Sequence, residues 1–88
     1  MKGRNKMSIY DLKKGDNFII NHVVLPGEIG KRLADMGFTK GVKGVIVRSA
    51  LFGDPLQVKI MNYDISIRKK EAKGVLVKFV KENGSEEN

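Results

Sequence analysis

The chain contains a single histidine, His22, and it is the one side chain whose ordinary pKa suits general-base work near neutrality. It falls in the middle of the run Phe18-Ile19-Ile20-Asn21-His22-Val23-Val24, on the same parity as Phe18, Ile20 and Val24. That position predicts a partly buried histidine with a local hydrogen bond rather than a base. Hydrolytic chemistry also needs a nucleophile with a base and an orienting group in reach, and nothing around Ser8, Ser49, Ser66 or Ser85 supplies such a set. No catalytic residue is assigned. The segment Gly27-Glu28-Ile29-Gly30-Lys31-Arg32 places Gly-Lys at a helix, as phosphate-binding loops do. The match fails, because Arg32 stands where magnesium needs a Ser or Thr hydroxyl and Leu25 stands where the first glycine belongs. Nucleotide binding by the chain is not expected.

Metal chemistry is equally poorly provided for. There is no cysteine, and the carboxylates Asp11, Asp16, Glu28, Asp35, Asp54, Asp64 and Glu71 are scattered, with no helix carrying two ligands four residues apart. Nothing beyond a weak adventitious metal contact is expected, and no cofactor. Anionic partners are a different matter, since 17 Lys and Arg against 10 Asp and Glu give a net charge of +7. Arg68-Lys69-Lys70 with Lys73 is the densest basic group, with Lys13-Lys14 and Lys2, Arg4 and Lys6 as further contributors. A solvated surface that keeps a small protein soluble explains this cluster best on composition alone. A small basic barrel that binds RNA or the ribosome stays open as the alternative.

The elements that must position these residues are short. With 88 residues the chain is one domain with a small core, so no deep pocket is expected. The absence of cysteine fits a reducing compartment, and cytoplasm is the expected location. No apolar run approaches the ~18 residues of a membrane span, and the basic start Met1–Met7 is followed by Ser-Ile-Tyr-Asp rather than by an apolar export core. The polar stretches 1–7 and 81–88 read as flexible tails around a domain over 8–80.

Ser8 and Asp11 have the spacing of a helix-capping pair, which predicts a single turn there. Alternation predicts a strand over 16–25 with Phe18, Ile20, His22 and Val24 on its buried face. Pro26-Gly27 ends it, and Ile29, Leu33 and Met36 then recur at helical spacing until Gly37. A turn at Lys40-Gly41 leads into a second strand, "VKGVIVRS", in which Gly44 suggests a bend or bulge. Gly53-Asp54-Pro55 is a turn into "LQVKIM"; "NYD" is the next turn; "ISIR", one helical turn in "KKEAKG" and "VLVKF" follow. Strands this closely spaced must pair antiparallel, and five of them in so short a chain must curl. The expected fold is mainly β, a small five-stranded, partly open barrel with one short α-helix between strands 1 and 2.

Three motifs in order and at matching intervals carry a family likeness: "KRLADMGFTKG" (31–41), "FGDPLQVKI" (52–60) and "DISIRKKEAKGVLV" (64–77). Together they resemble the FeoA family, small cytoplasmic proteins of bacterial ferrous-iron uptake with an SH3-like barrel. Arg32, Leu33, Met36, Gly37, Gly41, Gly53, Asp54, Pro55, Arg68 and Ala72 match the family pattern. Lys40, Leu51 and Ile67 depart from it, standing where proline, proline and leucine are usual. The resemblance implies a non-enzymatic protein that engages FeoB, the membrane iron transporter with a cytoplasmic GTPase domain. Because no DNA-binding helices precede the motifs, as they do where this domain type ends a metal-dependent repressor, a stand-alone component is expected.

An apolar cluster at a loop, ringed by charge, has the composition of an interface core. Leu51 and Phe52 are therefore candidates for the partner contact, with Lys31, Arg32 and Arg48 as its polar rim. The competing role for Phe52 is to cap the barrel end. Gly37, Gly41, Gly53, Asp54 and Pro55 are expected to be structural, as turns and caps. A barrel edge that pairs with a second copy would give self-association.

Overall fold

In the computed structural model of the protein, residues 7–48 and 55–80 are described. Ser8 opens the fold by capping a 3-10 turn over Ile9–Asp11: its hydroxyl accepts from the Tyr10 N–H at 3.2 Å, and the Asp11 carboxylate accepts from the Ser8 N–H at 3.0 Å. This is the reciprocal pair expected from the spacing. Met7, assigned to the tail by its composition, is tied in as well, since the Val77 N–H donates to its carbonyl at 2.8 Å.

The strands are β1 (Asn17–Val23), β2 (Lys43–Arg48), β3 (Leu56–Ile60), β4 (Tyr63–Ile67) and β5 (Val75–Val80). They form one antiparallel sheet in the order β4-β3-β2-β1-β5. The helix α1 (Gly27–Asp35) lies between β1 and β2, and a single turn, α2 (Lys69–Ala72), between β4 and β5. Mainly β, five antiparallel strands and one helix after the first is the architecture the patterning predicts. The core is built from Phe18, Ile20, Leu33, Phe38, Ile46, Leu56, Val58, Ile60, Ile67, Val75 and Val77 with Ile9 and Leu12 from the N-terminal turn. No helix among the described residues is long and apolar enough to cross a membrane.

Four expectations need correction. His22 and Val24 are exposed rather than on the buried face. The pairing of β1 with β5 shifts between Ile20 and His22, where one extra residue enters β1. An inserted residue exchanges the two faces of everything after it, so beyond Ile20 it is Val23 that packs against the core. Second, the β3–β4 turn is Met61-Asn62 rather than Asn62-Tyr63-Asp64. Both turn residues have positive φ (51° and 69°), and Tyr63 and Asp64 already pair with Ile60 and Lys59.

Third, Gly44 marks no bulge. Its strand shifts register between Ile46 and Arg48 instead. Gly44 sits directly across from Phe18, and a Cβ there would come within 2.5 Å of the Phe18 ring. Glycine at this position makes room for the aromatic ring that fills the centre of the core. Fourth, Ile29 does not join Leu33 in the core and is 37% exposed. The first turn of α1 rides on the preceding segment, where the Leu25 carbonyl occupies the space beside Gly30 that a Cβ would need.

The expectations for residues 1–6 and 81–88, and for Leu51, Phe52, Gly53 and Asp54, lie outside the described residues.

Candidate functional site

Helix α1 is short and solvent-facing on one side, and its end fixes where that side points. The Phe38 N–H donates to the Leu33 carbonyl at 2.9 Å and the Gly37 N–H to that of Ala34 at 3.0 Å, the paired bonds of a Schellman stop. Gly37 takes the required left-handed conformation with φ +105°. Leu33 and Phe38 are buried together at this end, so the helix is pinned by its C-terminal half. Gly41 then returns the chain to β1, its N–H donating to the Ile20 carbonyl at 2.8 Å. Gly37 and Gly41 are thus placed as turn and cap residues, and Pro55 is exposed immediately before β3.

Pinning α1 in this way presents Glu28, Ile29, Lys31, Arg32 and Asp35 outward. They line an open depression of about 330 Å³. The charges alternate at helical spacing, Glu28 with Lys31 and Arg32, and both cations with Asp35, so the face is mixed in sign with one apolar side chain among the charges.

Arg32 does more than stand on this face. Its guanidinium donates to Oε2 of Glu71, while Oε1 of the same carboxylate accepts from the Arg68 N–H at 3.3 Å. Glu71 is buried in α2, and the pair ties α1 to α2 across 39 residues of sequence. The arginine expected in a polar rim is therefore first a clamp, with 56% of its side chain still reachable from solvent. Lys31 and Arg48 are exposed. The ladder places Arg48 opposite Gln57 and Gln57 opposite Ser66, so Arg48, Pro55 and Arg68 share one end of the sheet. Strand β2 ends and strand β3 begins at that end. Of the candidates, Lys31 and Arg32 are neighbours on α1, Arg48 stands at the mouth of the β2–β3 connection, and Leu51 and Phe52 lie within that connection.

Two residues of this region were not among the candidates. Ile29 shares the spacing of core residues, and only its exposure sets it apart from them. Glu71 is one acid in a basic segment; its capping spacing to Arg68 was the available signal.

The two serines among the described residues are each hydrogen-bonded to a neighbouring side chain. The Ser8 hydroxyl lies 3.3 Å from the Asp11 carboxylate, and that of Ser66 accepts from the Gln57 amide at 3.4 Å. Among the described residues no three His, Cys, Asp or Glu side chains gather to hold a metal ion.

The five-stranded antiparallel sheet with its inserted helix defines a small domain of the SH3-like kind. The chain belongs to the FeoA family: the FeoA domain model matches residues 7–79. A Porphyromonas gingivalis protein, a fusion of Fe(2+) transport protein A with the Fe(2+) transporter FeoB, is 32% identical over 79 residues, which is 90% of this chain. The chain spans about 9% of that relative's length. The solution structure of iron(II) transport protein A from Clostridium thermocellum superposes with a TM-score of 0.80 at 36% identity, over 84% of this chain and 46% of that one. The zinc-complexed FeoA of Stenotrophomonas maltophilia, a prokaryotic SH3 domain protein, superposes with a TM-score of 0.73 at 28% identity, over 81% and 88% of the two chains.

Proposed function

We propose that this chain is a non-enzymatic, cytoplasmic accessory protein of bacterial ferrous-iron uptake that binds and modulates the GTPase region of a FeoB-type membrane transporter. The observation that carries this reading is the fusion of the equivalent region to FeoB in the Porphyromonas relative. Covalent linkage raises the effective concentration of one domain at another, a gain realised only when the two touch. The Stenotrophomonas relative, put forward as a ferrous-iron transport activating factor, is in keeping with it.

The proposed contact runs from the outer face of α1 to the β2–β3 connection. Ile29 would join Leu51 and Phe52 as the apolar centre, with Lys31, Arg48 and the solvent-facing part of Arg32 around it. Aromatic residues carry a large share of interface energy, and rim charges mainly steer the encounter. Calorimetric titration with the soluble GTPase region of FeoB tests the assignment. Phe52→Ala is expected to weaken binding by at least ~1 kcal/mol, and Lys31→Glu to weaken it at low salt, both with an unchanged circular dichroism spectrum. Wild-type affinity in Ile29→Ala, Lys31→Glu and Phe52→Ala alike would remove this surface from consideration.

A further inference from the structure

The two edges of the sheet differ. Along β5 the chain covers its own edge: the Val77 N–H donates to the Met7 carbonyl at 2.8 Å, and Ser8 bridges to Leu76. Along β4, the other edge, no backbone bond from another element reaches Asp64 or Ser66 among the described residues. The two-residue turn Met61-Asn62 closes on the bonded pair Ile60–Tyr63, so by alternation Ile65 and Ile67 also direct their backbone groups to β3. Asp64 and Ser66 then each aim an N–H and a C=O outward. Open edges are commonly guarded by lysine, proline or a bulge. This one has none of them: the chain's 17 Lys and Arg all fall outside residues 61–67, and the β3–β4 ladder is unbroken. Tyr63 is 70% exposed and Ile65 half-buried, on the face that carries the core residue Ile67.

We infer that β4 pairs antiparallel with β4 of a second copy, Ile65 against Ile65, to make one continuous sheet across a two-fold axis. A second copy is the fitting occupant because the strand is complementary to itself. In this register Asp64 of each copy faces Ser66 of the other, and the outward backbone groups of both residues are satisfied. The Ser66 hydroxyl accepts from the Gln57 amide at 3.4 Å and keeps its own hydrogen for the Asp64 carboxylate of the second copy. On the core-side face Tyr63 meets Ile67 and Ile65 meets itself, which extends the apolar surface across the junction. The neighbouring registers fail for identifiable reasons. Centring on Asp64 sets two carboxylates against each other. Centring on Ser66 sets Asp64 against Arg68, whose N–H already donates to Glu71 and whose carbonyl already accepts from Glu71 and Ala72. A slip by a single residue brings the apolar face of one copy to the polar face of the other. This association goes beyond the transporter contact proposed above and does not depend on it.

Sedimentation velocity of the full chain, over a series from micromolar to millimolar protein, is expected to show a reversible dimer. Ser66→Pro removes an N–H that points away from β3, so the hairpin is kept while the dimer weakens about thirtyfold for the hydrogen bond lost in each direction. Ser66→Asp sets like charges opposite each other and should weaken the dimer about tenfold, whereas Ser66→Lys, opposite Asp64, should tighten it about threefold. Net charge alone predicts the reverse order, since the chain carries +7. The chain has no cysteine, so Ile65→Cys introduces a lone thiol beside its own copy, at the ~4.5 Å Cα separation of a non-bonded pair and within disulfide range. It should cross-link under mild oxidation about tenfold faster than Ser66→Cys, whose thiols lie diagonally apart. Thermal melts check that each variant folds, and where Ser66→Pro does not, the order of Ser66→Asp and Ser66→Lys decides. A monomer at every concentration overturns the proposal, as does a dimer in which Ser66→Asp is tighter than Ser66→Lys, or equal cross-linking at the two cysteine positions. So does protection of the Asp64 and Ser66 amides from hydrogen exchange only when the FeoB GTPase region is added, which would give this edge to a strand of the transporter.

Discussion

Two ion pairs bracket strand β4, and they are built for different ends. Arg32 and Glu71 join α1 to α2 beyond the C-terminal end of the strand, with the glutamate side chain only 7% exposed. Lys59 and Asp64 face each other across β3 and β4 near the hairpin turn, 3.8 Å apart and 48% and 68% exposed. Charge and distance make both salt bridges, but burial decides what each is worth. A carboxylate out of water depends on its partners, whereas one in water can exchange its partner for solvent at little cost.

The largest effect should therefore come from breaking the clamp, and from its exposed member. Arg32→Ala leaves Glu71 buried with only the Arg68 N–H to answer its charge, and an uncompensated buried carboxylate is expected to cost about 2–4 kcal/mol. Glu71→Gln removes the charge, keeps an amide oxygen for the Arg68 N–H and returns Arg32 to water, which should cost about 1 kcal/mol or less. The double variant should behave like Glu71→Gln alone. Denaturant unfolding of the three variants measures the order; a Glu71→Gln loss exceeding that of Arg32→Ala would mean that burial of the carboxylate is not what sets this pair apart.

The turn closed by the Lys59–Asp64 pair gives an intermediate effect of opposite sign. Met61 and Asn62 both hold positive φ, a conformation that costs L-residues roughly 1–2 kcal/mol and that asparagine and glycine tolerate best. The Met61 side chain recovers part of this by lying over Gly37, whose ideal Cβ position is 2.7 Å from the methionine Cε. Met61→Asn should raise stability by about 0.5 kcal/mol, or the melting temperature by roughly 2–4 °C. A fall of the same size would show that the contact with Gly37 outweighs the backbone strain and that the hairpin end, too, is held by its link to α1.

These features also mark where sequence patterning reaches its limit. Phe18 and Ile20 were legible as core because they share one face of a strand at alternate positions. His22 and Val24 were not, because a single inserted residue reverses the faces without altering the composition on which alternation rests. The helix and its stop at Gly37 could be read, but the exposure of Ile29 could not, since it depends on Leu25 lying under the first turn. Of the candidate contact, the cations Lys31, Arg32 and Arg48 could be found from type and position. The partner of Arg32 could not, because no local rule connects residues 39 apart. The turn at Met61-Asn62 carries no glycine, so the usual hairpin signal is missing and the turn is displaced by one residue in a reading based on polarity.

The smallest effect is expected at Lys59 and Asp64, and it is the sharpest check on the comparison. Their pairing directly across antiparallel strands is the arrangement in which opposite charges contribute most in a sheet. Yet both side chains are largely solvated, and holding a lysine in one rotamer costs entropy comparable to the attraction. A double-mutant cycle of Lys59→Ala and Asp64→Ala, run in urea at 0.15 M salt, should give a coupling of about 0.5 kcal/mol or less. In 1 M salt the coupling should vanish, because the screening length falls to about 3 Å. A coupling above about 1 kcal/mol would show that strand geometry can fix an exposed pair as firmly as burial fixes the clamp, and the distinction between the two ends of β4 would then rest on topology rather than on access to water.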